Sequence, residues 1–297
     1  MSHESELEAT VAKIVEPGKG ILAADESTPT ITKRFTAVGI DSTEEMRRAY
    51  RTLLLTAPDA DAYLSGVILF EETLGQKADD GRLLPKVLLD RGILPGIKVD
   101  KGTTPLPGAP GDLVTQGLDG LAERLAAYKQ QGARFTKWRE VYGIGERNPT
   151  PLGIAANAEV LARYAAICQS QGLVPIVEPE VLIDGDHTIE RCFEVSEAVL
   201  HAVFDALHRH RVVPELIVLK PSMSKRSRIT RRSRSASCPW GIRTAVSELL
   251  YSSGLAHRIS RPHARTARRV ASACRSWRAN TFARPSSSSI ASASRSP

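Results

Sequence analysis

Three lysines and three acids carry the residue types that carbonyl chemistry needs. Lys220 closes the run LIVLK and is followed by Pro221, Lys137 lies in FTKW, and Lys98 lies in IKVDK. An amine at a strand end, partly desolvated and near a second cation, is favoured in its unprotonated form and can attack a ketone. Lys137 and Lys98 are expected to supply that positive field or to hold an anionic substrate. Glu178 and Glu180, in VPIVEPE, are two apart and so point to one side of an extended strand. Held near lysines, one of them can shuttle protons during carbinolamine formation and dehydration. Asp25, in LAADES, suits a base acting on a substrate hydroxyl; its spacing equally suits a cap for a helix after Ser27.

The elements that must position these groups are short apolar runs. Strands are expected over Gly20 to Asp25, Gly66 to Glu71, Pro95 to Val99, Arg134 to Trp138, Val174 to Glu178 and Leu216 to Lys220. Their hydrophobicity is continuous rather than alternating, which points to a parallel sheet covered on both faces. Between them apolar residues recur every three or four positions: Leu118, Leu121, Leu125 and Tyr128; Val160, Leu161, Tyr164 and Cys168; and Ile189 through Leu207. Gly132 and Gly172 suit the residue just past a helix end, and Asp186 suits the cap that starts the third helix. No strand is followed by GxGxxG and no GxxxxGK[ST] occurs, which argues against a dinucleotide-binding or P-loop sheet. Asp25, Glu71, Lys98, Lys137, Glu178 and Lys220 all fall at or near strand C-termini, which converge on one mouth in a (β/α) barrel.

The composition, 42% hydrophobic and 25% charged, is that of a globular protein. The N-terminus has no basic then apolar leader, and no apolar run is long enough to cross a bilayer, so a cytoplasmic location without membrane contact is expected. The cysteines Cys168, Cys192, Cys238 and Cys274 form no CxxC pair and imply neither disulfide nor zinc. The seven histidines, including His201, His208 and His210 on one helical stretch, suggest surface positions rather than a ligand set, so neither metal nor cofactor is expected. Charge is split along the chain. Residues 224–297 hold fifteen Arg, one Lys and a single acid for a net +15, against −8 for residues 1–223. The overall +7 therefore belongs to the tail, and no nucleic-acid partner is expected for the protein as a whole.

Taken in order, ILAADEST, GVILFEETLGQKADDGR, GIKVDKG, TQGLDGL, KWR, NAEVLARYA, PIVEPE and LKPSM closely resemble class I fructose-bisphosphate aldolases, from about residue 10 to Met223. The resemblance implies a TIM (β/α)8 barrel, usually a homotetramer. It also implies metal-free, reversible cleavage of fructose 1,6-bisphosphate to dihydroxyacetone phosphate and glyceraldehyde 3-phosphate, in glycolysis and gluconeogenesis. By the same resemblance Lys220 would form the Schiff base, Lys137 would tune its amine, Glu178 would be the general acid/base and Asp25 would assist carbon–carbon cleavage. Glu180, Lys98 and Arg139 would support substrate and charge balance, with Lys33 and Arg34 near a substrate phosphate. A transaldolase or deoxyribose-phosphate aldolase shares the lysine logic, but these motifs favour the fructose-bisphosphate enzyme.

After LKPSM the resemblance stops. The family's Ser-Gly-Gly phosphate loop and Tyr-Gly-Arg segment are not found beyond Met223. The chain thus divides into an incomplete barrel, 1–223, showing six βα units, and an Arg/Ser-rich tail, 224–297, in place of the last two. The tail has no Asp, a single Glu and no βα rhythm; disorder is expected over most of it, with a short helix at Gly241 to Ala256. Its composition is what translation of a GC-rich gene in the wrong frame would give; the rival reading is an Arg-rich arm that binds RNA or another polyanion. Six strands that do not close leave two edges unpaired, so poor folding and little aldolase activity are expected.

Overall fold

The computed structural model describes residues 3–222. Expectations that fall on residues 223–297, including the helix at Gly241 to Ala256, lie outside the described residues. The described residues form eight strands and nine α-helices. The strands are β1 (Gly20–Ala24), β2 (Leu64–Leu69), β3 (Leu94–Lys98), β4 (Thr103–Pro105), β5 (Leu113–Thr115), β6 (Phe135–Tyr142), β7 (Val174–Val181) and β8 (Val218–Leu219). The helices are α1 (Glu4–Ile14), α2 (Thr28–Thr36), α3 (Glu44–Leu55), α4 (Ala60–Tyr63), α5 (Glu71–Gly75), α6 (Leu84–Asp90), α7 (Leu121–Gln130), α8 (Pro151–Ser170) and α9 (Ile189–Arg209).

Six strands form one parallel sheet in the order β1-β2-β3-β6-β7-β8, the curved wall of a half-barrel. Every crossover carries at least one helix, as parallel neighbours require. Among the described residues β1 and β8 each have a single neighbour.

The sheet is covered on both faces, which is why its strands read as unbroken apolar runs. Outside, Val67, Leu69, Ile97, Trp138 and Val177 pack against Leu125, Leu161, Tyr164, Val199 and Val203 of the helices. At the N-terminal end of the strands, Leu7 and Ile14 of α1 meet Ile68, Phe135, Val174, Ile176 and Leu216. Leu7 and Ile14 are 1% and 0% exposed, so each contributes about 1.5–3 kcal/mol of burial. The Phe135 ring fits because Gly96 and Gly66 on β3 and β2 lack side chains. A Cβ at Gly96 would lie 2.1 Å from Cε2 of that ring, and one at Gly66 would lie 2.9 Å from Cε1.

Several expectations are corrected in detail. β6 and β7 run on to Tyr142 and Val181, several residues beyond their apolar cores, because they pair with each other along their whole length. The last strand is shorter than Leu216 to Lys220; Pro214–Leu216 forms a 3-10 turn that delays its entry into the sheet. Leu118 precedes α7 rather than joining it. Thr188, not Asp186, starts α9, its hydroxyl accepting from the Arg191 amide at 3.2 Å. The antiparallel hairpin β4–β5 was not anticipated, since two three-residue strands with largely exposed, polar positions carry no apolar run to read. Gly132 and Gly172 do follow helix ends with φ of +105° and +72°.

Candidate active site

The registers of β6, β7 and β8 bring the reactive side chains to one end of the sheet. Lys98 stands beside Lys137, and Arg139 and Val141 stand beside Glu178 and Glu180. β8 pairs Leu219 with Val177, and the Lys220 amide then donates to the Val177 carbonyl at 2.9 Å, which fixes Lys220 against β7.

The result is a row of alternating charge. Lys137 Nζ donates to Asp25 Oδ2 at 2.8 Å and lies 3.0 Å from Glu178 Oε2. The second contact is an ion pair rather than an aligned hydrogen bond, leaving Glu178 Oε2 without a hydrogen-bond partner. Glu178 Oε1 accepts from Lys220 Nζ. Asp25, Lys137 and Glu178 are all buried, whereas the Lys220 side chain is 47% exposed. Three charges thus form an enclosed base from which one amine faces open space.

That space is a cleft of about 270 Å³, lined by Glu178, Glu180, Asp184, Lys220 and Ser222 with the apolar edge of Val181 to Ile183. Burial alone would push the Lys137 ammonium down, but the charges of Asp25 and Glu178, with the hydrogen bond to Asp25, outweigh it and hold its pKa above the ordinary lysine value. Lys137 therefore stays a cation beside Glu178 and Asp25. Ser27, not Asp25, is the residue that starts α2, so of the two readings of Asp25 the cap is the one set aside.

The surrounding charges sort into local pairs. Arg139 Nη1 donates to Glu180 Oε2 at 2.9 Å. Lys98 Nζ donates to Asp100 Oδ1. On α2, whose buried Ile31 and Phe35 fix its orientation, Lys33 is exposed and Arg34 Nη1 donates to Glu26 Oε1. Glu26 is held again by Arg51 Nη1 at 2.7 Å and by the Tyr50 hydroxyl at 3.3 Å. Glu71 departs from the expectation of six converging groups. It opens α5 and is engaged by Lys101 Nζ at 2.7 Å and the Tyr128 hydroxyl at 2.6 Å, whose hydrogen bonds hold its carboxyl below the usual range.

Sequence reasoning missed Glu140 and Asp100. Glu140 is a buried acid of β6 between Arg139 and Val141, and a carboxylate two residues after Trp138 on the same face was the available signal. Among the described residues no group of His, Cys, Asp or Glu side chains is assembled to hold a metal ion, Cys168 and Cys192 are free and buried, and no helix is long and apolar enough to cross a membrane.

A parallel α/β half-barrel whose amine and carboxylate row lies where β3 and β8 end against the middle of β6 and β7 defines a barrel-type enzyme scaffold. Its relatives narrow the class. Residues 6–238 match the family model described as fructose-bisphosphate aldolase class-I. A probable fructose-bisphosphate aldolase class 1 of Xanthomonas campestris is 60% identical over 218 residues, covering 73% of this chain and 65% of that protein. The cytoplasmic isozyme of fructose-bisphosphate aldolase from Spinacia oleracea is 57% identical over 221 residues, covering 74% and 62%. A solved structure of fructose-bisphosphate aldolase from Plasmodium falciparum, in complex with TRAP and a small-molecule inhibitor, matches with a TM-score of 0.72 and 51% identity over 73% of this chain and 63% of that one. The chain belongs to the class I fructose-bisphosphate aldolase family. It spans about two thirds of the length of the curated relatives it matches.

Proposed function

We propose that this chain carries out class I aldolase chemistry, opening fructose 1,6-bisphosphate into dihydroxyacetone phosphate and glyceraldehyde 3-phosphate through a Schiff base on Lys220. The observation that carries it is the contact between Lys220 Nζ and Glu178 Oε1, with Lys137 behind Glu178. That pair is one proton transfer from a neutral amine and a carboxylic acid. The amine attacks the C2 carbonyl, and Glu178 returns a proton to the carbinolamine hydroxyl so that water leaves and the imine forms. Asp25 takes the proton of the C4 hydroxyl as the C3–C4 bond breaks. The electron pair of that bond passes into the iminium as an enamine, and the C4 oxygen becomes the aldehyde. Protonation of the enamine and hydrolysis then free dihydroxyacetone phosphate and restore Lys220. Lys137 keeps the buried acids in place as a cation, Arg139, Glu180 and Lys98 balance charge around the substrate, and Lys33 and Arg34 receive a phosphate.

The rest of the reading concerns the whole protein. It works in the cytoplasm as a homotetramer without metal, and it turns over slowly, because its sequence carries neither the Ser-Gly-Gly nor the Tyr-Gly-Arg phosphate contacts. The relatives' names favour this reading over a polyanion-binding arm. The division into 1–223 and a frameshifted 224–297 rests on composition, and the DNA read in its other two frames after codon 223 tests it: absence of both phosphate segments rejects it.

Borohydride reduction in the presence of dihydroxyacetone phosphate tests the chemistry apart from turnover. The adduct is expected on the peptide containing Lys220 and is lost in Lys220→Met. Absence of an adduct, or its attachment to another lysine, rejects the mechanism.

A further inference from the structure

β1 pairs with β2 only as far as Ala24, opposite Leu69, and α2 begins at Thr28. Asp25, Glu26 and Ser27 form the joint between them, so the pairing of β1 with β2 does not by itself set where the Asp25 side chain points. Asp25 is nevertheless buried and held 2.8 Å from Lys137 Nζ. A contact outside the sheet must fix the joint.

Arg51 of α3 makes that contact. Its side chain is 4% exposed, and both terminal nitrogens go to Glu26: Nη1 donates to Oε2 at 2.7 Å and Nη2 to the main-chain carbonyl at 3.0 Å. Its Nε is buried without a hydrogen-bond partner, and the guanidinium lies over the Tyr50 ring, 5.2 Å from the centroid. An ordinary ion pair would use the carboxylate alone. The second bond grips the main chain one residue past Asp25, and it needs the planar fork of an arginine, since a lysine offers a single nitrogen.

α3 is a firm base for this grip. Leu55 near its end is buried, Arg47 Nε donates to Glu72 Oε2 of α5 at 2.9 Å, and Arg91 Nη1 donates to the Leu55 carbonyl at 3.0 Å. α2 is tied to the same point. Arg34 Nη1 donates to Glu26 Oε1, the Tyr50 hydroxyl reaches that oxygen at 3.3 Å, and the Phe35 and Tyr50 rings meet edge to face at 5.7 Å. Glu26 thus joins α2 and α3 to the end of β1, and Asp25 is its immediate neighbour in the chain.

We propose that Arg51 is a positioning residue for the cleavage step: by gripping the Glu26 carboxylate and carbonyl together, it fixes the joint that holds Asp25 against Lys137. Arg51 acts through Asp25 and not on the reacting atoms. The part of this that concerns cleavage rests on the role proposed above for Asp25; the placement of Asp25 does not. A salt bridge that served stability alone would loosen every part of the site alike when lost, whereas a positioning contact loosens Asp25 and Lys137 first.

The test uses the full chain and two readouts. The first is reductive methylation of lysines with formaldehyde and cyanoborohydride, read by peptide mass spectrometry. Lys137, enclosed and bonded to Asp25, should label slowly in the unaltered chain and severalfold faster in Arg51→Met. Lys98, comparably enclosed but held by Asp100, should keep its rate. Arg51→Lys retains the charge without the fork and should fall between the two; if Arg51→Met does not fold, Arg51→Lys decides. The second readout traps fructose 1,6-bisphosphate with borohydride and weighs the adducts on Lys220. Arg51→Met or Arg51→Lys should leave the total adduct unchanged and lower the ratio of triose to hexose adduct, by about tenfold or more in the methionine variant, because a displaced acid fails at bond breaking and not at imine formation.

Unchanged labelling of Lys137 in the variants, or Lys137 and Lys98 rising together, overturns the placement. A fall of both adducts in proportion overturns the role in cleavage. Absence of any adduct in the unaltered chain rejects the Schiff-base reading and the cleavage role with it, while the labelling of Lys137 still judges whether Arg51 places Asp25.

Discussion

Lys137 and Asp25 are 112 residues apart in sequence, yet Nζ donates to Oδ2 at 2.8 Å inside the wall of the half-barrel. The contact closes the end of β1 onto β6 across β2 and β3, and it places a charged hydrogen bond where water is nearly excluded.

Breaking that contact from one side should be costly. Lys137→Met leaves Asp25 and Glu178 buried without their shared cation, and a loss of about 3–5 kcal/mol is expected in urea unfolding. Adding Asp25→Asn should recover part of it, since one of the two stranded charges is then gone. If the single variant unfolds at the same urea concentration as the unaltered chain, the row contributes nothing to folding.

Glu178 is expected to matter for proton movement more than for folding. Glu178→Gln keeps the size of the side chain but cannot exchange the proton with Lys220. Adduct formation with dihydroxyacetone phosphate, followed by mass spectrometry in a time course, should slow by about 10²–10⁴-fold. An unchanged rate would assign the acid/base role elsewhere.

The packing of Phe135 makes Gly96 intolerant of any side chain. Gly96→Ala puts a Cβ 2.1 Å from Cε2 and 2.3 Å from Cζ of the ring, so a destabilisation of about 1–3 kcal/mol or more is expected in the same urea assay. Gly66→Ala, at 2.9 Å, should cost less, and Phe135→Leu should relieve the Gly96 variant. Equal stability of the two alanine variants would contradict the geometry.

Stability should also fall as pH rises from about 4.5 to about 7. Glu140 has its folded value raised from 4.5 to about 7, chiefly by burial. Below 4.5 both folded and unfolded states carry the proton. Between 4.5 and about 7 the unfolded chain releases it first, so each step up in pH favours unfolding. Above that window the loss is complete, on the order of a few kcal/mol. Thermal unfolding of Glu140→Gln should lack this component; a parallel pH dependence in both proteins would assign it to other groups.

What the sequence determined by itself follows from local rules. Apolar runs at βαβ spacing fixed a parallel sheet with helices between, and Lys98, Lys137, Glu178 and Lys220 were visible because each ends or interrupts such a run, although β6 and β7 continue past Lys137 and Glu178. The pairing of Glu178 with Glu180 on one side of β7 followed from strand period alone, and the register sets them beside Arg139 and Val141.

What only the tertiary structure decided depends on register and burial, which one strand cannot report about another. Whether Asp25 caps a helix or faces the site was open in the sequence; the sheet order, with β1 three strands away from β6, and the contact with Lys137 set it in the charged row. Glu71 met the same sequence criterion as its neighbours and was nonetheless drawn to Lys101 and Tyr128, because α5 begins at that residue and turns it out of the row. The burial of Glu140 against the Thr115 amide had no local signature. Its chemistry comes from a hairpin of two three-residue strands folded against β6, and the loss of water around a carboxylate is a property of everything that surrounds it.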